Sequence, residues 1–262
     1  MVEAVRSTLP TYPDLAGRVA VVTGGSKGIG AATCRALAGN GVQVAVVARD
    51  QAGIDETVAS LRAAGGRAIG VSVDVTDYAA IEELRQRVER ELGPTDILMP
   101  FAGGFAALTP VAEISETDWH FVIDSNLTAT FLVCKSFLPG MMTRGRGAIV
   151  TMASNAARNL DVTLTASYAA AKAGIVQFTR HVAREVGHAG VRANCIAPAT
   201  TLTERISSMM TDERIEQMTQ LSTLKRIGLP EDSAMAALFL ASDSASWLTG
   251  ITIDVAGGRV MQ

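Results

Sequence analysis

The chain is poor in the residues that build metal centres and disulfide scaffolds, with three cysteines and three histidines among 262 residues. Cys34, Cys134 and Cys195 are odd in number, far apart and without a Cys-x-x-Cys spacing, a set that suits reduced thiols. His120, His181 and His188 have no clustered Cys or carboxylate companions, which leaves a metal-dependent alcohol dehydrogenase without a ligand set. Basic charge is also scarce: 23 Lys and Arg stand against 26 Asp and Glu, a net charge of −3. That balance argues against nucleic acid or an anionic membrane as main partner. No apolar run reaches membrane-spanning length. Residues 1–16 carry Glu3, Arg6, Asp14 and two prolines and lack the apolar stretch of a signal peptide. The expectation is a cytoplasmic protein with a short N-terminal extension over 1–16. No linker or composition break divides 17–262, which reads as one catalytic domain.

What is present is abundant apolar residue, 48% of the chain, in two alternating periodicities. Short β-branched runs at 19–23, 43–47, 68–73, 97–99, 148–152, 192–196 and 251–255 read as strands buried on both faces. Segments with helical spacing lie between them, among them 30–38, 54–64, 79–92 and 169–186. Strand and helix in alternation imply an α/β fold: a doubly wound, parallel, seven-stranded sheet with helices on both faces. Ligands of such sheets sit beyond the carboxyl ends of the strands. The least regular stretch, 199–229, bears Met209, Met210 and Met218. It reads either as a substrate flap or as ordinary helix packing.

Thr23-Gly24-Gly25-Ser26-Lys27-Gly28-Ile29-Gly30 joins the first strand to the first helix. Glycines there permit a tight turn and close approach of backbone to a pyrophosphate, and the free N–H groups of the helix start favour an anion. Tyr168-Ala169-Ala170-Ala171-Lys172 places a phenol and an ammonium on one helix face. A neighbouring cation is expected to lower the phenol pKa from about 10 toward the range of efficient acid–base catalysis. Ser154 closes the fifth strand, where its hydroxyl can donate to a substrate carbonyl and stabilise developing negative charge. Asn126 falls inside a long helical stretch, an unfavourable place for an amide that competes for backbone bonds, and so marks a kink or a bound water.

Taken in order, Thr-Gly-x-x-x-Gly-Ile-Gly, Asn126, Ser154, Tyr168 and Lys172 resemble the short-chain dehydrogenase/reductase superfamily, over nearly all of 17–258. The resemblance implies a Rossmann-type fold and an NAD(P)-dependent enzyme acting on carbonyls or alcohols, among them carbonyl and 3-oxoacyl-thioester reductases. It implies that Tyr168 exchanges the proton, Lys172 lowers its pKa and binds the nicotinamide ribose, Ser154 orients the substrate oxygen, and Asn126 holds a relay water. It assigns the cofactor to Gly24, Ser26, Lys27, Gly28, Ile29 and Gly30, to Arg49 after the second strand, and to Asp74 and Val75 at the adenine. Ala102 and Gly103 lie beside the cofactor, Pro198 and its neighbours meet the carboxamide, Thr201 also belongs to the cofactor site, and Thr203 reaches the phosphates. Ala48 stands where NAD-preferring members carry Asp, and Arg49 and Lys27 favour NADP(H). A shift of register would make Asp50 a ribose acceptor and favour NAD(H) instead. The family also implies a homotetramer built on the helices around Phe131 and Phe178.

Three departures stand out. Pro100-Phe101 replaces Asn-Asn after the fourth strand, Ala199 replaces Gly after Pro198, and Ala256 replaces Asp near the C-terminus. The first removes the usual bracing of that strand or substitutes another for it. A competing enzyme reading is an NAD-linked dehydrogenase working oxidatively, and a non-enzyme reading is a cofactor-binding regulator without turnover. An enoyl reductase is disfavoured, since that family spaces Tyr and Lys further apart. Phe105, Asn155, 160–164 and 199–229 are the expected pocket wall, mostly apolar, which favours a hydrophobic or medium-sized carbonyl substrate.

Overall fold

The computed structural model describes residues 9–105, 108–159 and 165–261. The β-branched runs become β1 (Val19–Thr23), β2 (Gln43–Ala48), β3 (Ala68–Ser72), β4 (Ile97–Pro100), β5 (Gly147–Met152), β6 (Val191–Pro198) and β7 (Thr252–Val255). All pair in parallel, in the order β3-β2-β1-β4-β5-β6-β7, so the expected doubly wound sheet is borne out. The chain steps outward from β1 to β3 and returns to β4 on the other side of β1. That reversal opens a crevice at the carboxyl ends of β1 and β4.

The helices are α1 (Gly28–Ala38), α2 (Gln51–Ala63), α3 (Tyr78–Glu91), α4 (Glu116–Ile123), α5 (Ala129–Arg144), α6 (Ala166–Val186), α7 (Glu204–Ser207), α8 (Asp212–Leu221) and α9 (Pro230–Ala241). Alternate side chains of each strand point to opposite faces. Ala20 and Val22 therefore join Leu37, Ile54 and Leu238 of α1, α2 and α9 in one core. Val19 and Val21 join Leu84, Phe137 and Val182 of α3, α5 and α6 in the other. Each fully buried Leu, Ile or Phe contributes about 1.5–3 kcal/mol, so the two cores hold the strand ends in register beneath the crevice. Local signals set the helix limits: Asp50, Asp77, Ser115 and Thr165 accept backbone N–H groups at the starts of α2, α3, α4 and α6. Gly145, with φ 68, ends α5 in the left-handed region.

A π-helical turn, Asp124–Thr128, joins α4 to α5, so Glu116–Arg144 is one continuous helical stretch. Contrary to the sequence expectation, that stretch is long and apolar enough to cross a membrane by length and composition. Its inner residues Val133, Phe137 and Met141 lie in the sheet-covering core, and Trp119, Phe121 and Phe131 are exposed. Residues 10–16, within the expected extension, dock on the body. Leu15 is fully buried, and Asn40 accepts from Tyr12 N at 2.7 Å while donating to Pro10 O at 3.1 Å. The 199–229 segment is a closed excursion from the sheet: Thr201 bridges Gly228, and Leu202 N donates to Gly228 O at 2.8 Å. Met218 is buried beneath it and Met209 is exposed.

Candidate active site

The glycine loop is drawn tight against its own strand. Gly24 and Gly28 have φ of +69° and +52°, a Cβ on Gly25 would lie 2.9 Å from the Val22 carbonyl, and one on Gly30 would overlap the Gly24 carbonyl. Side chains are thus excluded where a dinucleotide backbone would approach. An anionic group already meets the helix start: Gly28 N–H donates to the Glu204 carboxylate at 3.1 Å. Thr203, one residue earlier, packs on Gly28, with its Cγ2 2.9 Å from where a Gly28 Cβ would stand. Residues 176 positions apart therefore meet at the helix start. The shape would fit a nicotinamide dinucleotide, with the N–H groups of the loop as the donors that would hold its phosphates.

Four side chains converge at the carboxyl edge near β4 and β5. Thr165 caps α6 by accepting from Tyr168 N at 3.3 Å and so sets the first turn that carries the phenol. Lys172, one turn on, is buried, with its Nζ 5.5 Å from the Tyr168 ring centre and donating to the Met152 carbonyl at 3.0 Å. Ser154 lies two residues beyond the end of β5 and starts a 3-10 turn, accepting from Ala156 N and donating to Asn155 Oδ1, both at 3.2 Å. Asn126 sits fully buried in the π turn. Its amide donates to Gly104 O and Val122 O, both at 2.8 Å, and its Oδ1 accepts from Gly104 N at 3.3 Å. The helix irregularity expected at Asn126 is present, and its amide clamps the loop after β4. Gly103, with φ +154°, passes so close that a methyl group there would overlap Asn126 Oδ1.

Ionisation in the cluster is governed by burial. Burial lowers the Lys172 ammonium to about 8, only weakly opposed by Cys195. Burial also pushes the Tyr168 phenol above its ordinary value, against opposing pulls from a hydrogen bond with Ser154 and from the charge of Arg205. The sequence expected a lowered phenol. The cause is burial, which desolvates the phenol, while the ammonium is committed to the Met152 carbonyl. The shift favours the protonated phenol, the form that donates to a carbonyl.

Comparison with known proteins agrees with this geometry. A family model of the short-chain dehydrogenase type, described as Enoyl-(Acyl carrier protein) reductase, matches residues 24–259. The 2,3-dihydro-2,3-dihydroxybenzoate dehydrogenase of Bacillus subtilis (strain 168) is 36% identical, over 94% of this chain and 97% of its own length. The chain is a short-chain dehydrogenase/reductase. The 3-oxoacyl-(acyl-carrier-protein) reductase of Escherichia coli (strain K12) is 34% identical over 94% of this chain and 98% of its own. A Burkholderia xenovorans structure assigned to the short-chain dehydrogenases/reductases superposes with a TM-score of 0.90 at 35% identity, over 94% of this chain and 98% of that one. Of the similar solved structures, a 7α-hydroxysteroid dehydrogenase is complexed with NADH and a gluconate 5-dehydrogenase from Beutenbergia cavernae has bound NADP. Like its relatives, this short-chain dehydrogenase/reductase is an NAD(P)-dependent oxidoreductase acting on CH–OH or C=O groups.

Within this short-chain dehydrogenase/reductase the departures find structural substitutes. Pro100 still pairs with Thr23, Phe101 is buried in the core, and Thr23 Oγ1 accepts from Ala102 N at 3.1 Å. Together with the Asn126 clamp, this braces the β4 loop. Ala199 donates to Val255 O at 3.1 Å, and Ala256 is buried. At the end of β2, Arg49 is exposed, whereas Asp50 caps α2 and pairs with Lys27 at 2.6 Å. Asp74 and Val75 fall in the loop after β3, where Asp74 Oδ1 accepts from Thr76 N and Oγ1 at 2.9 and 2.7 Å. Ser26 lies in the loop between β1 and α1, Ile29 in the first turn of α1 and Pro198 at the end of β6, and Thr201 Oγ1 donates to Ala199 O at 3.0 Å. The 160–164 part of the expected pocket wall lies outside the described residues. A cavity of about 280 Å³ under the 199–229 excursion is lined by Thr200, Met218, Arg226 and Asp254 and does not include Tyr168. Sequence reasoning named Thr23 only within the glycine motif and Glu204 and Arg205 only within 199–229, and missed the role of each; Arg205 stacks on Phe105, whose ring meets Tyr168 edge-on at 6.1 Å.

Proposed function

We propose that this enzyme works as an NADP(H)-dependent reductase of a small carbonyl compound, with Tyr168 as the general acid. The carrying observation is the buried cluster itself, with a phenol kept protonated beside a buried lysine and a strand-end serine. When bound, the nicotinamide supplies or takes up the hydride. Tyr168 gives its hydroxyl proton to the substrate oxygen, and the Ser154 hydroxyl donates to that same oxygen as negative charge develops. Lys172 holds positive charge behind the phenol and offers its remaining N–H donors to the cofactor ribose. Asn126 positions the β4 loop and a proton-relay water.

In this reading Gly24, Ser26, Lys27, Gly28, Ile29, Gly30 and Thr203 hold the pyrophosphate, and Asp74 and Val75 hold the adenine. Ala102, Gly103, Pro198 and Thr201 frame the nicotinamide. Residues 17–262 act as one catalytic domain, with 199–229 as its substrate flap. Arg49 supports NADP(H), since it is exposed at the β2 end and Asp50 already caps α2. One observation favours a second reading, NAD-linked oxidation: the Asp50 carboxylate neutralises Lys27, one of the two cations available to a 2′-phosphate. The buried, unpaired Cys34, Cys134 and Cys195 support a reducing, cytoplasmic location. Exposed Trp119, Phe121 and Phe131, with Phe131 stacked edge-on to Phe178 at 6.3 Å, support assembly into a homotetramer through α4, α5 and α6.

The test is Tyr168→Phe, assayed by NADPH oxidation over a panel of ketones. Cofactor binding is retained and turnover falls by roughly 10²–10⁴-fold. Unchanged turnover in the variant rules the mechanism out.

A further inference from the structure

Arg205 lies on α7, just past the point where the chain leaves β6. Its guanidinium stacks 4.4 Å over the Phe105 ring, and its Nη2 donates to Phe105 O at 3.3 Å. Its Nη1 sits 3.3 Å from where a Cβ on Gly104 would be, so the head group is seated on the loop that Asn126 clamps. Phe105 in turn meets the Tyr168 ring edge-on at 6.1 Å. One aromatic ring therefore separates a fixed cation from the phenol, and the cation is close enough to act on the ionisation of that phenol.

Among the described residues, several arginines are committed to carboxylate partners. Arg226 pairs with Asp232, Arg158 with Asp254, and Arg18 with Asp14 and Asp243. Arg205 has none, because the adjacent Glu204 carboxylate turns away to Gly28 N. The bond to Phe105 O uses one of five N–H donors. The remaining N–H donors belong to an exposed side chain seated beside Phe105, and a planar guanidinium is the group that receives a carboxylate through two parallel bonds.

We propose that Arg205 is an anion-recognition site at the mouth of the catalytic cleft, and that the substrate is a compact oxo or hydroxy acid whose carboxylate docks there while its carbonyl or hydroxyl meets Tyr168. The Phe105 ring lies 4.4 Å from the guanidinium and 6.1 Å from the Tyr168 ring, a short span that suits a cyclic or short-chain acid better than a long acyl chain. This rests on the reading of Tyr168 as proton donor and adds the chemical class of what it serves.

The experiment compares 4-oxocyclohexanecarboxylate with its neutral primary amide, at saturating cofactor, for the unmodified enzyme, Arg205→Gln and Arg205→Lys. A charge-assisted bidentate contact is worth roughly 10–100-fold in affinity. The unmodified enzyme is expected to favour the acid by that factor in kcat/KM, chiefly through KM. Whatever Arg205→Gln does to the amide rate, the acid-to-amide ratio collapses toward one, and Arg205→Lys restores part of it. Equal handling of acid and amide by the unmodified enzyme, or an equal loss of both in Arg205→Gln, overturns the proposal. Calorimetric binding of cyclohexanecarboxylate and cyclohexanecarboxamide to the cofactor-loaded enzyme gives the same comparison without turnover. No preference for the acid there, or no measurable acid binding, also overturns it. Failure of the catalytic reading is separately visible, as unchanged turnover in Tyr168→Phe beside an intact acid preference.

Discussion

Lys172 Nζ donates to the Met152 carbonyl at 3.0 Å, which ties the ammonium to the carboxyl end of β5 rather than to the phenol beside it. A buried charge so placed carries a pH signature. Burial holds Lys172 at about 8 in the folded enzyme against an ordinary 10.5. Below pH 8 both folded and unfolded chains bind the proton, and the full cost of burying the charge is present. Between about 8 and 10.5 the unfolded chain binds more protons than the folded one, so stability rises with pH across that window. The gain from this one group is up to about 3 kcal/mol. Denaturation of the unmodified enzyme and Lys172→Met at pH 7, 8, 9 and 10 measures it. The unmodified enzyme should gain relative to the variant above pH 8, and parallel curves count against the assignment.

Asn126 joins the π turn to the β4 loop through two bonds to Gly104, and donates a third to Val122 O of α4. Asn126→Ala leaves Gly104 N and O and Val122 O without those partners. Each buried group so stranded costs about 1–3 kcal/mol, and water entering the space offsets part of that. A net loss of about 2–4 kcal/mol in chemical denaturation is expected. Turnover should fall at least roughly tenfold as the loop beside Tyr168 loosens.

The pair Lys27–Asp50, at 2.6 Å, sets the charge available at the end of β2. Arg49→Ala should lower the ratio of kcat/KM for NADPH over NADH by roughly tenfold or more, through loss of a charge-assisted phosphate contact. Asp50→Asn releases Lys27 and should raise the same ratio. Both side chains of the pair are solvent-exposed, so the Asp50→Asn effect shrinks in 1 M salt. A strong NADH preference in the unmodified enzyme, undisturbed by Arg49→Ala, would favour the NAD-linked reading.

Phe131 is 44% exposed while its ring stacks on Phe178, a cost in water that a subunit contact removes. Phe131→Glu should therefore yield a smaller species than the unmodified enzyme by light scattering, with its secondary structure intact. Identical masses would exclude this face from the interface.

Much of the site was readable because it rests on short-range rules. The glycine loop needs only its position between β1 and α1, and Tyr168 and Lys172 share a face because one helical turn separates them. Ser154 was placed at the end of β5, and it lies two residues past it, within the ordinary fraying of element boundaries. The long-range contacts of Thr23, Glu204 and Arg205 were missed for a different reason. Their partners, Ala102, Gly28 and Phe105, are 79, 176 and 100 residues away, and no local pattern reports such a pairing.

Local composition and spacing by themselves determined the strands, their parallel pairing and the side chains sent to the crevice, because backbone periodicity and crossover handedness act within tens of residues. Only the tertiary structure decided the direction of the Tyr168 shift, the anchor of Lys172 and the clamp on the β4 loop. Those depend on how deeply each group is desolvated and on which distant carbonyl or amide faces it, quantities that exist only once the chain has packed.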